Sequence, residues 1–100
     1  MAEDATTVAP HIYNVLFEND RVRVLEVTME PGTSSEMHTH PDYFFYLLGD
    51  GGKVRFTMPS GETAEMELPA GASQWREAEE HATENIGSTA IHAIFFESKN

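Results

Sequence analysis

The chain of 100 residues contains 17 acidic and 6 basic residues, which give a formal net charge of −11, and it contains no cysteine. A chain of this length forms one domain, and the missing cysteine excludes disulfide bonds and thiolate metal sites. The acidic balance argues against nucleic acid as a partner, and no apolar run approaches the roughly 18 residues of a membrane helix. We therefore expect a cytoplasmic protein without a membrane partner.

Residues 1–10 are small and polar and are predicted to form a flexible N-terminal arm, followed by a single domain over residues 11–100. This domain is rich in Val, Ile, Phe, Tyr and Thr, and no stretch keeps a helical apolar period. The predicted strands are 11–17, 21–29, 34–40, 43–48, 53–58, 63–68, 73–77, 81–86 and 89–97. Residues 76–80 could instead form one helical turn. Eight to ten short strands predict an all-β fold, an antiparallel jelly-roll β-barrel.

Three histidines carry the main chemical signal. His38 and His40 stand two residues apart in a predicted strand, and His81 lies in a distant one. Because residues i and i+2 of a strand point to the same face, His38 and His40 aim two imidazoles at one point. A third imidazole from His81 would complete one face of a metal shell and leave open positions for water or substrate.

The spacing around these histidines resembles the first motif of the cupin family. Gly32 is followed by five residues and then by His38-Thr39-His40, and Gly51 or Gly52 matches the closing glycine. The family's glutamate is missing, because Phe44 or Phe45 stands in its place.

The second cupin motif is matched less closely. Gly61 and Pro69-Ala70-Gly71 fit it with two extra residues between them, and Gln74 falls where the family has histidine. His81 and Asn85 reproduce the His-x3-Asn ending seven residues later. In this register we expect Asn85 to hydrogen-bond backbone groups near His81 rather than to touch a metal.

The chain is thus similar to small single-domain, RmlC-like cupins of the three-histidine type. The resemblance implies a jelly roll with inward-facing ligands, often a homodimer, and a small-molecule substrate or ligand. Within the family, a shell of three histidines without glutamate resembles that of non-haem iron dioxygenases. It implies Fe(II) on His38, His40 and His81, with Mn, Ni or Zn as other possibilities, and an anionic substrate that chelates the metal and reacts with dioxygen.

Further pocket residues follow from strand periodicity. If Phe44 faces inward with His40, Tyr46 lies on the same side, and its hydroxyl becomes a candidate catalytic group or substrate donor. Gln74 and Arg76 share a face of their segment and could orient a carboxylate or enolate. The remaining candidates are His92 as a pocket residue, and Gln74 or Glu36 as weaker alternative metal ligands.

Three other functions stay open at this stage. One is a metal-dependent module that binds or senses a small ligand without turnover. Another is a Mn, Ni or Zn isomerase or lyase, which needs an acid or base near the metal, and only Tyr46, Glu36 and His92 are available as candidates. The last is a metal-free structural domain. The cupin resemblance by itself implies no single activity.

Overall fold

The computed structural model describes residues 2–99 and contains nine strands and one short helix. The strands follow the alternation of apolar and polar residues in the sequence. The elements are α1 (Ala5–Val8), β1 (Tyr13–Glu18), β2 (Val22–Met29), β3 (His38–His40), β4 (Tyr43–Leu48), β5 (Gly51–Thr57), β6 (Thr63–Pro69), β7 (Ser73–Arg76), β8 (Glu79–Asn85) and β9 (Ile91–Ser98). No helix within residues 2–99 is long and apolar enough to cross a membrane.

The strands form two antiparallel sheets. The five-stranded sheet has the order β1-β2-β9-β4-β7, and the four-stranded sheet has the order β3-β8-β5-β6. Neighbours in the sheets are mostly not neighbours in the chain, so the chain crosses repeatedly between the two layers. This arrangement confirms the predicted all-β antiparallel jelly roll, and the number of strands falls within the predicted eight to ten.

The core lies between the two sheets and is filled by alternate strand residues. In β4 the burial alternates strictly, with Tyr43, Phe45 and Leu47 buried. The inner faces of β2, β5 and β9 contribute further apolar side chains, which are Leu25, Val27, Met29, Val54, Ile91 and Ala93. This period-two pattern is the one expected of strands with one face on a core.

The glycine at the start of β5 permits close contact with β6. Gly51 has a φ of 93°, and a Cβ atom there would lie 2.2 Å from the carbonyl oxygen of Leu68. Only glycine fits such a position without moving the backbone. Gly52 also lacks room, because its Cβ would meet a side-chain atom of Ile91 at 2.8 Å. Both glycines of the predicted motif ending are therefore structurally required.

The N-terminal segment packs against the barrel, which differs from the loose arm expected from its composition. Asp4 caps α1 by accepting a hydrogen bond from the Thr6 backbone N–H. Ala5 and Ala9, four residues apart, are fully buried. The small side chains that suggested a loose arm are the ones that allow this close packing.

Two predicted element boundaries also change. The predicted strand 34–40 shortens to His38–His40, and only an isolated bridge between Ser34 and Glu84 precedes it. The alternative of a helical turn over 76–80 is wrong, because β7 ends at Arg76 and β8 begins at Glu79. Pairing of β8 with β3 overrides the local helical tendency of the Arg-Glu-Ala-Glu-Glu segment.

Candidate metal centre and cavity

Strand pairing brings the three histidines together inside the barrel. β3 and β8 are antiparallel neighbours in which His38 lies directly opposite His81. His40, two residues after His38, points to the same inner face. All three side chains are buried, with at most 3% of each residue exposed. Their candidate ligand nitrogens all lie within 4.8 Å of one another.

The distances between the rings fit a shared cation. The ring centroids of the three histidines are 4.7, 5.0 and 5.2 Å apart. The Nε2 atoms of His38 and His40 are 3.0 Å apart. Two nitrogens that bind one ion at about 2.1 Å stand about 3.0 to 3.4 Å from each other. The observed spacing is therefore already that of two ligands of one metal.

Neighbouring acceptors set the tautomers of the same two rings. The Nδ1 atom of His38 lies 2.9 Å from the carbonyl oxygen of Glu36, and that of His40 lies 3.4 Å from the Glu97 carboxylate. Each acceptor favours a proton on Nδ1, which leaves a lone pair on Nε2. Two lone pairs 3.0 Å apart repel unless a cation or a proton lies between them. This donor set fits a divalent metal.

His81 carries the one buried side-chain polar atom without a hydrogen-bond partner in the part of the chain from residue 2 to 99. That atom is its Nδ1, which lies 3.7 Å from a carboxylate oxygen of Glu79. Unpaired buried polar groups are costly and rare. A ligand held by His81, or a closer approach to Glu79, would satisfy it.

The buried rings are held in the neutral form that binds metals. Burial, reinforced by the neighbouring His40, lowers the pKa of His38 to about 4. Burial also lowers the pKa of His81 to about 3, although the Glu79 carboxylate opposes the shift. Neutral imidazole is the ligating form, so at neutral pH no proton has to leave these two rings before a metal binds.

A second group, formed by the buried Tyr43 and the half-buried Arg76 and Glu79, adjoins His81. Arg76 donates two hydrogen bonds to the Glu79 carboxylate at 2.9 and 3.0 Å, and the Tyr43 hydroxyl donates a third at 2.5 Å. Burial alone would raise the pKa of Glu79, but these hydrogen bonds hold it below its usual value. Burial beside this carboxylate strongly raises the pKa of Tyr43. Glu79 is thus a fixed anion and Tyr43 a neutral phenol.

Glu97 is a site residue that the sequence analysis missed. It is 1% exposed, accepts hydrogen bonds from Arg23, and faces His40. The signal was present in the sequence, because alternation from Ile91 and Ala93 through residue 95 places residue 97 on the inner face of β9. A carboxylate at an inward position of a buried strand indicates a paired or functional charge.

A small apolar cavity of about 60 Å³ borders His81. Tyr13, Tyr43 and Thr83 also line it, and the rest of the lining is mostly aliphatic and aromatic side chains from both sheets. The hydroxyl of Tyr13 lies 3.3 Å from Nε2 of His38. Burial strongly raises the pKa of Tyr13, so its hydroxyl stays protonated and can donate.

The structure corrects the predicted orientation of β4. Phe44 and Tyr46 lie on the outer face of the sheet, with 36% and 44% of each residue exposed, so neither lines the cavity. Phe45 faces inward and lines the cavity, so it is the inward one of the two residues that stand at the glutamate position of the motif. The prediction assumes that inward and outward residues keep alternating from His40 into β4. However, β3 ends at His40, and β4 begins at Tyr43 in the other sheet. The turn between them resets the alternation.

The other predicted site residues also include one that lines the cavity and several that lie outside it. Arg76 lines the cavity, but Gln74 is exposed on the edge strand β7 and Glu36 is exposed before β3. His92 lies on the outer face, with Nε2 2.7 Å from the Glu26 carboxylate. These three placements correct the predictions of Gln74 and His92 as pocket residues and of Gln74 or Glu36 as alternative ligands.

Asn85 has the structural role expected of it. Its side-chain amide donates hydrogen bonds at 2.9 Å to the carbonyl oxygens of Met29 and Thr89, and its side-chain oxygen accepts one from Gly87 N–H. It therefore ties the end of β8 to the end of β2 and to the segment before β9, and it is not one of the candidate metal ligands.

Comparison with solved structures identifies the fold. A cupin domain from Bordetella pertussis Tohama I is 28% identical, with a TM-score of 0.76 over 89% of this chain and 93% of that one. An RmlC-like cupin family protein with a double-stranded β-helix fold from Methanocaldococcus jannaschii is 13% identical, with a TM-score of 0.64 over 87% and 78%. The polyketide cyclase RemF from Streptomyces resistomycificus is 19% identical, with a TM-score of 0.61 over 88% and 64%.

No protein-family model matches the sequence, and neither does any curated protein. The likeness is therefore carried by the three-dimensional structure. Two antiparallel sheets of the cupin type enclose His38, His40 and His81. The chain has the RmlC-like cupin fold, a double-stranded β-helix, with a three-histidine cluster in its interior.

Proposed function

We propose that this protein binds one divalent metal, Fe(II) by preference, through His38, His40 and His81, and oxidises a small anionic molecule with dioxygen. The observation that carries the proposal is the pair of Nε2 atoms 3.0 Å apart, each on a ring whose Nδ1 faces an acceptor. When bound, Fe(II) would supply Lewis acidity and the one-electron chemistry that dioxygen needs.

The protein's own residues would bind the substrate and exclude water. The Tyr13 hydroxyl is the donor best placed for an anionic group at the metal, because the Tyr43 hydroxyl is engaged by Glu79. The apolar lining strengthens such a hydrogen bond by lowering the local dielectric constant. It also keeps bulk water away from reactive species.

The cavity limits the size of the substrate. A volume of about 60 Å³ is far below the roughly 300 Å³ of typical ligand pockets, so it admits only a few non-hydrogen atoms. The likeness to a polyketide cyclase, at 19% identity, is a likeness of fold, and it does not extend to a substrate as large as a polyketide. A small chelating anion, such as a short thiol carboxylate, fits better.

The main alternative is a metal-dependent binding or sensing module without turnover. It is favoured by the state of the two carboxylates beside the histidines, because the half-buried Glu79 is held by Arg76 and the buried Glu97 by Arg23. Neither is free to act as a general base. The same observation weighs against an isomerase or lyase, which needs such a base near the metal.

Oxygen uptake separates these functions. Protein reconstituted with Fe(II) is mixed with a short thiol carboxylate, a β-diketone and an α-hydroxy acid in turn, and oxygen consumption and products are followed. His81→Ala is the inactive control, and His92→Ala, which changes an outer-face histidine, should behave as the wild type. Uptake that disappears only in His81→Ala supports the oxygenase. Ligand binding without uptake indicates the binding module, and a product formed without uptake indicates a lyase or isomerase.

A further inference from the structure

The N-terminal segment adds a partial strand to the edge of β3. In the four-stranded sheet β3 is the edge strand next to β8. There the backbone N–H of Thr39 donates a hydrogen bond of 2.9 Å to the carbonyl oxygen of Glu3, and Asp4 forms a parallel bridge with Thr39. Thr39 stands between His38 and His40. The segment thus holds the backbone of the strand that carries two of the three candidate ligands.

A chain of charged groups leads from the same segment to a ligand ring. Oδ1 of Asp4 lies 2.9 Å from Nη2 of Arg23, and Nε of Arg23 lies 2.6 Å from Oε1 of Glu97. The second carboxylate oxygen of Glu97 lies 3.4 Å from Nδ1 of His40. Arg23 therefore links a carboxylate near the N-terminus to the carboxylate that orients His40.

Packing of α1 fixes the first member of this chain. The other carboxylate oxygen of Asp4 accepts hydrogen bonds from the backbone and the hydroxyl of Thr6. The fully buried Ala5 and Ala9 hold the helix against the barrel. Asp4 thus combines a helix cap with an ion pair, and its position depends on the docking of the whole segment.

We propose that residues 2–9 act as a clamp on the metal centre, in which Asp4, through Arg23 and Glu97, positions the imidazole of His40. The proposal rests on the proposed metal binding. Arg23 holds one oxygen of the buried Glu97 carboxylate, so the other oxygen stays aimed at Nδ1 of His40 and presents Nε2 to the metal. Asp4 and Glu97 are positioning residues in this scheme, and neither touches the metal.

Cobalt affinity tests the clamp in the full-length protein. Co(II) is titrated into the wild type, Asp4→Asn and Glu97→Gln, with binding followed by visible absorption. Loss of an outer-shell partner typically weakens metal binding 10- to 100-fold, and we expect such a loss for Glu97→Gln and about a tenfold loss for Asp4→Asn. Glu18→Gln, which removes an exposed ion pair with Lys99, is the matched control and should bind as the wild type.

A second measurement needs no metal. Nitrogen NMR of metal-free protein reports which nitrogen of His40 carries the proton. The clamp predicts protonated Nδ1 in the wild type and a mixture of tautomers in Asp4→Asn. If Asp4→Asn changes the tautomer of His40 but the wild type binds no cobalt, the positioning network is supported and the proposed metal function is rejected. Equal cobalt affinity and an unchanged His40 signal in Asp4→Asn would overturn the clamp.

An independent observation concerns the outer face of the five-stranded sheet. Directly paired residues form a row across all five strands, and in order they are Phe17, Val24, Phe96, Phe44 and Trp75. Tyr46 follows Phe44 on the same face. The five aromatic residues of this set, here called the aromatic face, are each between 36% and 54% exposed. At about 200 Å² for each side chain they present about 450 Å² of apolar surface.

We infer that a second copy of the chain covers the aromatic face. Its area is about half of the roughly 800 Å² that each partner buries in a standard interface, as expected for an apolar centre with a polar rim. The Glu26 carboxylate on the same sheet face already has a partner within the chain, because it lies 2.7 Å from Nε2 of His92. On a chain of net charge −11, this face lets two copies meet without bringing unpaired acids together.

Sedimentation equilibrium tests this interface. The wild type should be a dimer at micromolar concentration, and Trp75→Glu, placed in the row, should be a monomer with an unchanged far-ultraviolet spectrum. Thr63→Glu, on an exposed position of β6 in the other sheet, is the control and should stay a dimer. A monomeric wild type at 100-fold higher concentration, or a dimer that survives Trp75→Glu, would overturn the inference.

Discussion

Oε2 of Glu97 lies 3.4 Å from Nδ1 of His40, and both side chains are almost completely buried. This contact joins the last strand of the chain to the shortest one and turns Nε2 of His40 toward Nε2 of His38. A carboxylate behind a histidine is a common outer-shell arrangement at metal sites, because it fixes the tautomer and raises the basicity of the ligand. The candidate metal centre thus depends on residues from both sheets.

Acid should destabilise the metal-free protein through its buried histidines. Unfolded His38 and His81 titrate near 6.5, whereas burial lowers their pKa values in the folded protein to about 4 and about 3. Between pH 6.5 and 4 the unfolded state binds more protons, so the free energy of unfolding falls as the pH falls through this window. At about 1.4 kcal/mol per pKa unit, we expect each of the two rings to contribute a loss on the order of 3 kcal/mol over this window, measured by urea unfolding at several pH values.

The variant His81→Gln is the control for this pH dependence. It removes one of the two depressed pKa values, so its free energy of unfolding should depend less steeply on pH between 6.5 and 4. Equal slopes for the wild type and His81→Gln would contradict the account of buried neutral imidazoles.

Removing the Tyr13 hydroxyl should weaken the binding of small anions at the metal. Azide, a linear triatomic anion, suits the small cavity and can be titrated against cobalt-loaded protein by visible absorption. A hydrogen bond to a charged group is worth about 1.5 to 3 kcal/mol, so we expect Tyr13→Phe to bind azide at least about tenfold more weakly. Tyr46→Phe, on the outer face, should match the wild type, and equal effects of the two variants would remove Tyr13 from the site.

The two glycines near the β4–β5 turn should differ in their tolerance of alanine. Gly49 and Gly51 both have a positive φ, but a Cβ at Gly49 meets nothing within 4 Å, whereas one at Gly51 meets the backbone of β6. Both variants carry backbone strain of about 1 to 3 kcal/mol. Gly51→Ala adds a steric clash and should have a lower melting temperature than Gly49→Ala. The reverse order would show that the close approach of β5 and β6 is not required.

The sequence predicted those features that rest on local spacing. The i, i+2 histidines and the His-x3-Asn ending identified His38, His40, His81 and Asn85, and the structure brings the histidines together and gives Asn85 its structural role. The alternating strands predicted the sheets and most of the core. The alternation depends on a period of two within one uninterrupted strand, whereas the choice of His81 and Asn85 depends on the resemblance to the second cupin motif.

Features that depend on long-range contacts could not be read from local patterns. The prediction that Phe44 and Tyr46 point inward assumes that the alternation of inward and outward residues continues from His40 into β4. The chain changes sheets at the turn between these strands, so the assumption fails. The docking of the N-terminal segment depends on β3, which is distant in sequence. The role of Glu97 required two facts together, its inward phase in β9 and the proximity of Arg23 from another strand.

Metal content tests the central claim most directly. Protein purified without a histidine tag and reconstituted with Fe(II) under nitrogen is analysed by mass spectrometry, together with His40→Ala and the surface control His11→Ala. We predict close to one metal per chain in the wild type and in His11→Ala, and a sharp loss in His40→Ala. Metal-free wild type after reconstitution, or equal metal content in His40→Ala, would contradict the three-histidine centre.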